Sequence, residues 1–160
     1  MTMTTLLANI PTFKGVDESV IRLVEPLFEL YYYPNASAVF EQNDIAKHLY
    51  LLVKGSVDVV YKPYDSPSIT LTSLKPGNFF GWSAVIGNTA YTSSAICQDD
   101  CEVLRIAGRE LRQLCQKHPA AGRVILQLLA DSVSSRWSDA QVQIQSLLNQ
   151  SIGNNHTDYR

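Results

Sequence analysis

The stretch HLYLLVKGSVDVVY, residues 48–61, contains two short runs of aliphatic and aromatic residues joined by Lys54-Gly55. Runs of this length and composition are typical of β-strands. Gly55 stands between them, where a tight turn calls for a positive φ that glycine adopts at little steric cost. The stretch therefore predicts two strands joined by a tight turn.

Strand-like runs of the same kind recur on both sides of this stretch, between Tyr31 and Ile106. Turn signals separate them, and no helix of useful length interrupts them. This spacing favours an antiparallel sandwich or barrel over alternating βαβ units. The turn signals outside residues 48–61 are Asn43-Asp44, Asp65-Ser66-Pro67 and Pro76-Gly77-Asn78.

Helical periodicity flanks the strands. Residues 16–28 carry apolar side chains at steps of three and four behind an entry rich in serine and acidic residues, which predicts a short amphipathic helix. After the strands, Leu111, Leu114 and Cys115 mark another helix. This helix should end at His118-Pro119, because proline disfavours the helical conformation of the residue before it.

A long C-terminal helix is predicted over about 120–149. At ~1.5 Å per residue it would extend ~45 Å, more than a small β domain can cover. A homodimer with a parallel helix pair across a two-fold axis would explain its apolar stripe, and the alternative is a helix that lies along its own domain. The stripe consists of Leu126, Leu129, Val133, Trp137, Ala140, Ile144 and Leu147.

Length and charge restrict the function classes. The 160 residues fit one domain over 1–150, followed by a polar tail at 151–160 that leaves no room for a second. Thirteen basic against fifteen acidic residues give a net charge of -2, which argues against nucleic-acid binding. The N-terminal stretch lacks a basic n-region and a sustained apolar run, and no uncharged apolar segment approaches the ~20 residues that span a bilayer, so a cytoplasmic location without membrane contact is expected.

The sequence gives no positive sign of catalysis. It lacks a nucleophile elbow, a Walker loop and a paired-carboxylate signature. The spacing of Cys97, Cys101, Cys115 and His118 fits no standard zinc pattern, and the alternation around the first two cysteines favours buried, inert, free thiols. We expect no enzyme activity, no bound metal and no resident cofactor.

The segment FFGWSAVIGNTAYTSSA, residues 79–95, is rich in hydroxyl groups and contains no Lys, Arg, Asp or Glu. Gly81 near its start would let backbone N–H groups approach an anion closely, as phosphate-cradling loops do. The segment is therefore a candidate ligand-binding loop that carries no formal charge.

Residues 40–60 and 74–84, together with the helices on both sides, resemble the cyclic nucleotide-binding domain of the catabolite activator (Crp/Fnr-like) family. The resemblance extends over about residues 10–149. It implies a mainly β fold: an antiparallel β-roll, that is, a jelly-roll-like double-stranded β-helix, with an N-terminal helix and a long C-terminal helix. It also implies a non-catalytic sensor or regulatory role.

The same resemblance identifies residues 81–95 with the family's phosphate-binding cassette. In that cassette, Phe-Gly-Glu-x-Ala supplies an acid that holds the ribose, and Arg-Ser/Thr-Ala supplies an arginine that pairs with the cyclic phosphate. Trp82 stands at the acid position and Ser93 at the arginine position, so both charged anchors are missing. The candidate binding residues left in the cassette are Gly81, Ser83, Ala84 and Ser94.

By the resemblance, Arg136 and Trp137 fall where family activators contact the purine base, although Trp137 also fits the apolar stripe and Arg136 could be a solvated charge. Trp82 could fill the ribose position, stack on a flat ligand or pack into the core. Two hypotheses therefore stay open. The chain is a sensor for a ligand other than ordinary cyclic AMP, or a ligand-free protein-interaction module with a plugged pocket. The family's helix-turn-helix domain is missing, so no DNA binding by this chain alone is expected.

Overall fold

The computed structural model of the chain describes residues 3–131. Predictions about the helix beyond residue 131, the polar tail, Arg136 and Trp137 lie outside these residues, as do those for Val133, Ala140, Ile144 and Leu147. The helices are α1 (Met3–Ala8), α2 (Glu18–Val24), α3 (Ser83–Ile86), α4 (Gly108–Lys117) and α5 (residues 119–131), with 3-10 turns at Pro11–Phe13 and Glu25–Leu27. The strands are β1 (Phe28–Tyr33), β2 (Ala38–Phe40), β3 (His48–Lys54), β4 (Val57–Tyr61), β5 (Ile69–Leu74), β6 (Phe79–Phe80), β7 (Ser94–Cys97) and β8 (Cys101–Ala107).

The eight strands form two four-stranded antiparallel sheets, in the orders β1-β8-β3-β6 and β2-β7-β4-β5. The chain passes from one sheet to the other between most consecutive strands, as at Gly55, whose φ is +100° as the sequence predicts, whereas β4 and β5 pair within the second sheet. The predicted antiparallel β-roll with flanking helices is thus confirmed. None of the helices in the described part of the chain is long and apolar enough to cross a bilayer.

The buried residues divide into two cores. The helix-side core packs α1, α2, α4 and α5 against the first sheet and contains Phe13, Phe28, Leu104 and Phe79. The roll interior lies between the two sheets and contains Phe40, Tyr50, Val103, Phe80 and Tyr91. Strand β6 contributes a side chain to each of the two cores, because its consecutive phenylalanines point to opposite faces of the sheet.

Helix α2 is shorter than the helix that the sequence predicts over residues 16–28. Asp17 caps its N-terminus with a side chain that accepts a hydrogen bond from the Ser19 N–H, and the helix gives way to a 3-10 turn at Glu25. Pro26 explains the change, because it has no N–H to donate to the preceding helical turn. Strand β1 then starts at Phe28, three residues before the predicted first strand.

Helix α5 lies along its own domain over the described residues. Ala121, Ile125 and Leu129 are buried in the helix-side core, whereas Val124 and Leu126 are exposed. The prediction that Leu129 faces a partner helix is therefore wrong, because this side chain is only 3% exposed within the single chain. Steps of three and four fit either face of a helix, so the sequence pattern could not separate the two.

Candidate functional site

The uncharged loop runs from β6 to β7 and includes α3. Gly81 opens it with φ +84°, a conformation that side-chain-bearing residues rarely adopt. A Cβ at this position would lie 3.1 Å from the His48 carbonyl oxygen, 3.1 Å from Cδ2 of Tyr50 and 3.3 Å from Cε2 of Phe40. Glycine is thus required both by the backbone angle and by the aromatic rings packed beside it.

Trp82 is half-buried and packs against the helix-side core, with its ring centroid 6.0 Å from that of Phe79. Of the three placements open for the indole, the structure shows packing into a core. The indole belongs to a different core from the Phe40 and Tyr50 rings beside Gly81. Trp82 is therefore not a side chain that fills the roll interior.

Aromatic rings fill the roll interior next to Gly81. Phe40 and Tyr91 are stacked, with centroids 3.8 Å apart and planes 16° apart. Tyr50 lies 5.6 Å from Phe40 and 5.4 Å from Phe80 by ring centroids. Tyr91 comes from the candidate loop itself, so the loop contributes a side chain to the space that it encloses.

The Tyr91 hydroxyl is held by the backbone of His48. It donates to the His48 carbonyl oxygen at 2.6 Å and accepts from the His48 N–H at 3.1 Å. Burial raises the pKa of Tyr91 and raises that of Tyr50 to about 12, so both phenols are neutral near pH 7. Burial, helped by the charge of Arg105, lowers the pKa of His48. The two phenols beside Gly81 therefore carry no formal charge, and the cation that acts on both Tyr50 and His48 is Arg105 of β8.

Sequence reasoning missed Tyr91. The one available signal was an aromatic residue in a loop otherwise made of small and hydroxyl-bearing residues. That signal did not identify Phe40 as its stacking partner, because the two residues are far apart in the sequence and meet only through the sheet topology.

Ser94 begins β7, and its hydroxyl oxygen accepts a hydrogen bond from the Gln42 N–H at 2.8 Å. The Gln42 side chain in turn bonds to the backbone of Lys62, through Nε2 to the carbonyl oxygen at 2.9 Å and through Oε1 to the N–H at 2.8 Å. Ser94 therefore supports the roll, and its hydroxyl keeps one proton that can be donated elsewhere.

The remaining candidates lie on or near α3. Ser83 and Ala84 are buried, and Ser93 is half-buried before β7. Arg112 of α4 donates from Nη1 to the Ala84 carbonyl oxygen at 3.0 Å, a contact between a charge and the loop that sequence reasoning did not anticipate. The loop thus joins Gly81, Trp82, Ser83, Ala84, Ser93 and Ser94, and the two helix candidates lie outside the described residues.

Metal and thiol chemistry gain no support from the geometry. Among residues 3–131, no group of three His, Cys, Asp or Glu side chains could hold a metal ion. Cys97 and Cys101 are buried, and burial raises the pKa of Cys97 to about 12. The three cysteines are free, as the sequence predicts.

The structure thus combines an antiparallel β-roll with a glycine-led loop beside flanking helices. The family model for the cyclic nucleotide-binding domain matches residues 31–118. The chain belongs to this family, and CRP-type regulators are among its relatives.

Three relatives illustrate the similarity. The cAMP-activated global transcriptional regulator CRP of Pasteurella multocida is 31% identical over 74% of this chain and 55% of its own length. The cyclic AMP receptor protein of Thermus thermophilus is 27% identical over 85% of this chain and 62% of its own length, so the chain spans less than two thirds of both relatives. A structure from Geobacter metallireducens, provisionally named a cyclic nucleotide-binding protein, superposes with a TM-score of 0.72 at 28% identity, over 86% of this chain and 99% of that one.

Proposed function

We propose that this chain is a non-catalytic regulatory domain whose cassette binds cyclic AMP weakly at best. The observation that carries the proposal is the uncharged loop: residues 79–95 contain no charged side chain, and the Ser94 hydroxyl already accepts a hydrogen bond from Gln42. The proposal includes no specific DNA binding by this chain, because a net charge of -2 gives no electrostatic footprint for a polyanion.

Charge is the decisive difference from a cyclic AMP receptor site. Hydrogen bonds to charged groups contribute ~1.5–3 kcal/mol each, so the loss of two such anchors weakens binding by roughly two to four orders of magnitude. The backbone N–H groups of residues 81–83 and the one hydroxyl proton of Ser94 are neutral donors, and the Ala84 N–H already donates to the Gly81 carbonyl oxygen at 3.3 Å. These neutral donors are too weak to replace an arginine against a phosphate.

The first expectation is that cyclic AMP and cyclic GMP bind to the unaltered chain with dissociation constants near or above about 1 mM. Isothermal titration calorimetry measures this directly, and a 5′-AMP titration controls for nonspecific phosphate binding. A low-micromolar constant for either cyclic nucleotide would contradict the proposal.

The second candidate function is a ligand-free protein-interaction module. The contacts of Phe40, Tyr50 and Tyr91 beside Gly81 favour it, because they occupy space in the roll interior. A thermal-shift panel of nucleotides, nucleosides and small anions separates the candidates, since a ligand that binds only the native state raises the melting temperature by mass action. A saturable shift by a panel member supports a sensor for another ligand, and a flat panel supports the interaction module.

We further propose that the domain forms homodimers through the face of α5 that contains Leu126. This side chain is 45% exposed, on a helix whose other face is buried in the helix-side core. Leu126 belongs to the predicted apolar stripe and is exposed, whereas Leu129 of the same stripe is buried within the single chain.

For this dimer, Leu126→Asp is expected to raise the dissociation constant by about tenfold or more, because a carboxylate would be desolvated at the seam. Val124→Asp is the matched control, since Val124 is 43% exposed on a different side of the same helix. Multi-angle light scattering over a range of protein concentrations measures the oligomeric state and the dissociation constant of the dimer. A monomer at about 50 μM of the unaltered chain would disprove the dimer.

A further inference from the structure

A groove of about 440 Å³ lies at the end of the first sheet, on residues that the candidate loop does not use. A row of paired residues crosses three strands there: Tyr32 of β1 is opposite Glu102 of β8, which is opposite Lys54 of β3. Paired residues in a sheet point to the same face, so the three side chains stand side by side. The described residues that line the groove also include Tyr33, Pro34, Asp100 and Cys101.

The groove combines an exposed ring with a surplus of negative charge. Tyr32 is 68% exposed, so its ring is accessible to a partner from solvent. Asp100 and Glu102 bring two carboxylates against the single ammonium group of Lys54. Lys54 Nζ lies 3.4 Å from Glu102 Oε2, and one carboxylate oxygen of Asp100 accepts a hydrogen bond from the Asn35 N–H at 2.9 Å.

We propose that this groove binds an arginine side chain presented by an extended segment of a partner protein. A guanidinium group is planar, so it can pair with the Glu102 or Asp100 carboxylate through two N–H groups and stack on the Tyr32 ring at the same time. The Lys54–Glu102 pair is no obstacle, because the Lys54 side chain is 72% exposed and such surface pairs contribute little. An anionic partner is disfavoured by the two carboxylates.

The test uses a peptide of alternating glycine and arginine and the same peptide with citrulline, which keeps the shape of arginine without its charge. The full chain, labelled with ¹⁵N, is titrated, and the amide signals of residues 32–34 and 100–102 are followed by NMR. The arginine peptide is expected to shift these signals saturably, and the citrulline peptide is expected to leave them unmoved.

Variants identify the groups that bind. Tyr32→Ala and Glu102→Gln are each expected to weaken binding of the arginine peptide by about fivefold, the size of an exposed cation–π or ion-pair contact. The matched controls are Tyr64→Ala and Glu41→Gln, which remove an exposed tyrosine and an exposed carboxylate elsewhere and should leave binding unchanged. Lys54→Gln is expected to strengthen binding by about twofold to fivefold, because it releases the Glu102 carboxylate.

Three results would overturn the proposal. Equal shifts from the citrulline peptide would show that charge is not recognised. Weaker binding of the arginine peptide to Lys54→Gln would show that Lys54 supports the contact instead of competing for the Glu102 carboxylate. Saturable shifts from free spermidine, with none from the arginine peptide, would assign the groove to a small organic cation instead of a protein segment.

Discussion

Ser93→Arg is expected to raise the affinity of the chain for cyclic AMP by about one to two orders of magnitude. The substitution restores a cation at the position where the family pairs arginine with the cyclic phosphate, and a charge-assisted hydrogen bond contributes ~1.5–3 kcal/mol. Ser93 is half-buried and directly precedes β7, so an arginine side chain at this position would begin beside the first residue of that strand. Calorimetry with cyclic AMP, set against the same titration of the unaltered chain, measures the gain.

The matched control for this gain is Thr92→Arg. It adds the same charge one residue earlier, at an exposed position. A general increase in positive charge would affect both variants alike, whereas a restored anchor affects only Ser93→Arg. Equal gains in the two variants would therefore contradict the assignment of Ser93, and so would the absence of any gain.

Adding Trp82→Glu to Ser93→Arg restores the second anchor and is expected to bring the total gain to about two to four orders of magnitude. The structure adds a cost that the sequence did not reveal. The indole packs on Phe79 and the helix-side core, so its loss should reduce the free energy of unfolding by about 2–3 kcal/mol. The double variant must therefore be assayed below its own melting temperature, and its far-UV circular dichroism checked first.

Much of the fold was predictable because its signals are local. The runs around Gly55 show their strand character within a few residues, and the turn that joins them needs one glycine at one position. The helix break at His118-Pro119 is equally local, because it follows from proline chemistry in the neighbouring residue. Each of these predictions could be made without knowing which residues meet in space.

The candidate site was less predictable, since its character depends on long-range contacts. The absence of charged residues from 79–95 was evident from the sequence. The positions that the side chains of Trp82 and Tyr91 occupy in the fold were not. Both are aromatic residues of one loop, yet the backbone turn at Gly81 sends the first to the helix-side core and the sheet topology brings the second against Phe40. Leu129 shows the same limit, because helical periodicity does not say which surface covers the apolar face.

Tyr91→Ala is expected to lower the free energy of unfolding by about 3–5 kcal/mol, the usual cost of removing a large buried aromatic side chain. Tyr91 is 4% exposed, its ring is stacked on Phe40, and its hydroxyl satisfies both the N–H and the carbonyl of His48. Urea denaturation followed by circular dichroism, at one fixed protein concentration, measures the loss. Tyr64→Ala is the control, because that side chain is 93% exposed and its removal should change stability by less than about 0.5 kcal/mol.

Tyr91→Phe separates the two contributions. It keeps the stacked ring and removes only the hydroxyl, so the loss should be about 1–3 kcal/mol, the cost of leaving the His48 groups without that partner. The same variants bear on function, because Tyr91→Ala empties space beside Gly81 without adding a charge. If the rings alone kept nucleotides out, Tyr91→Ala would bind cyclic AMP more tightly than the unaltered chain. If missing charge is the cause, as we propose, Tyr91→Ala will lose stability and gain no measurable affinity, and Ser93→Arg will gain affinity with Tyr91 still in place.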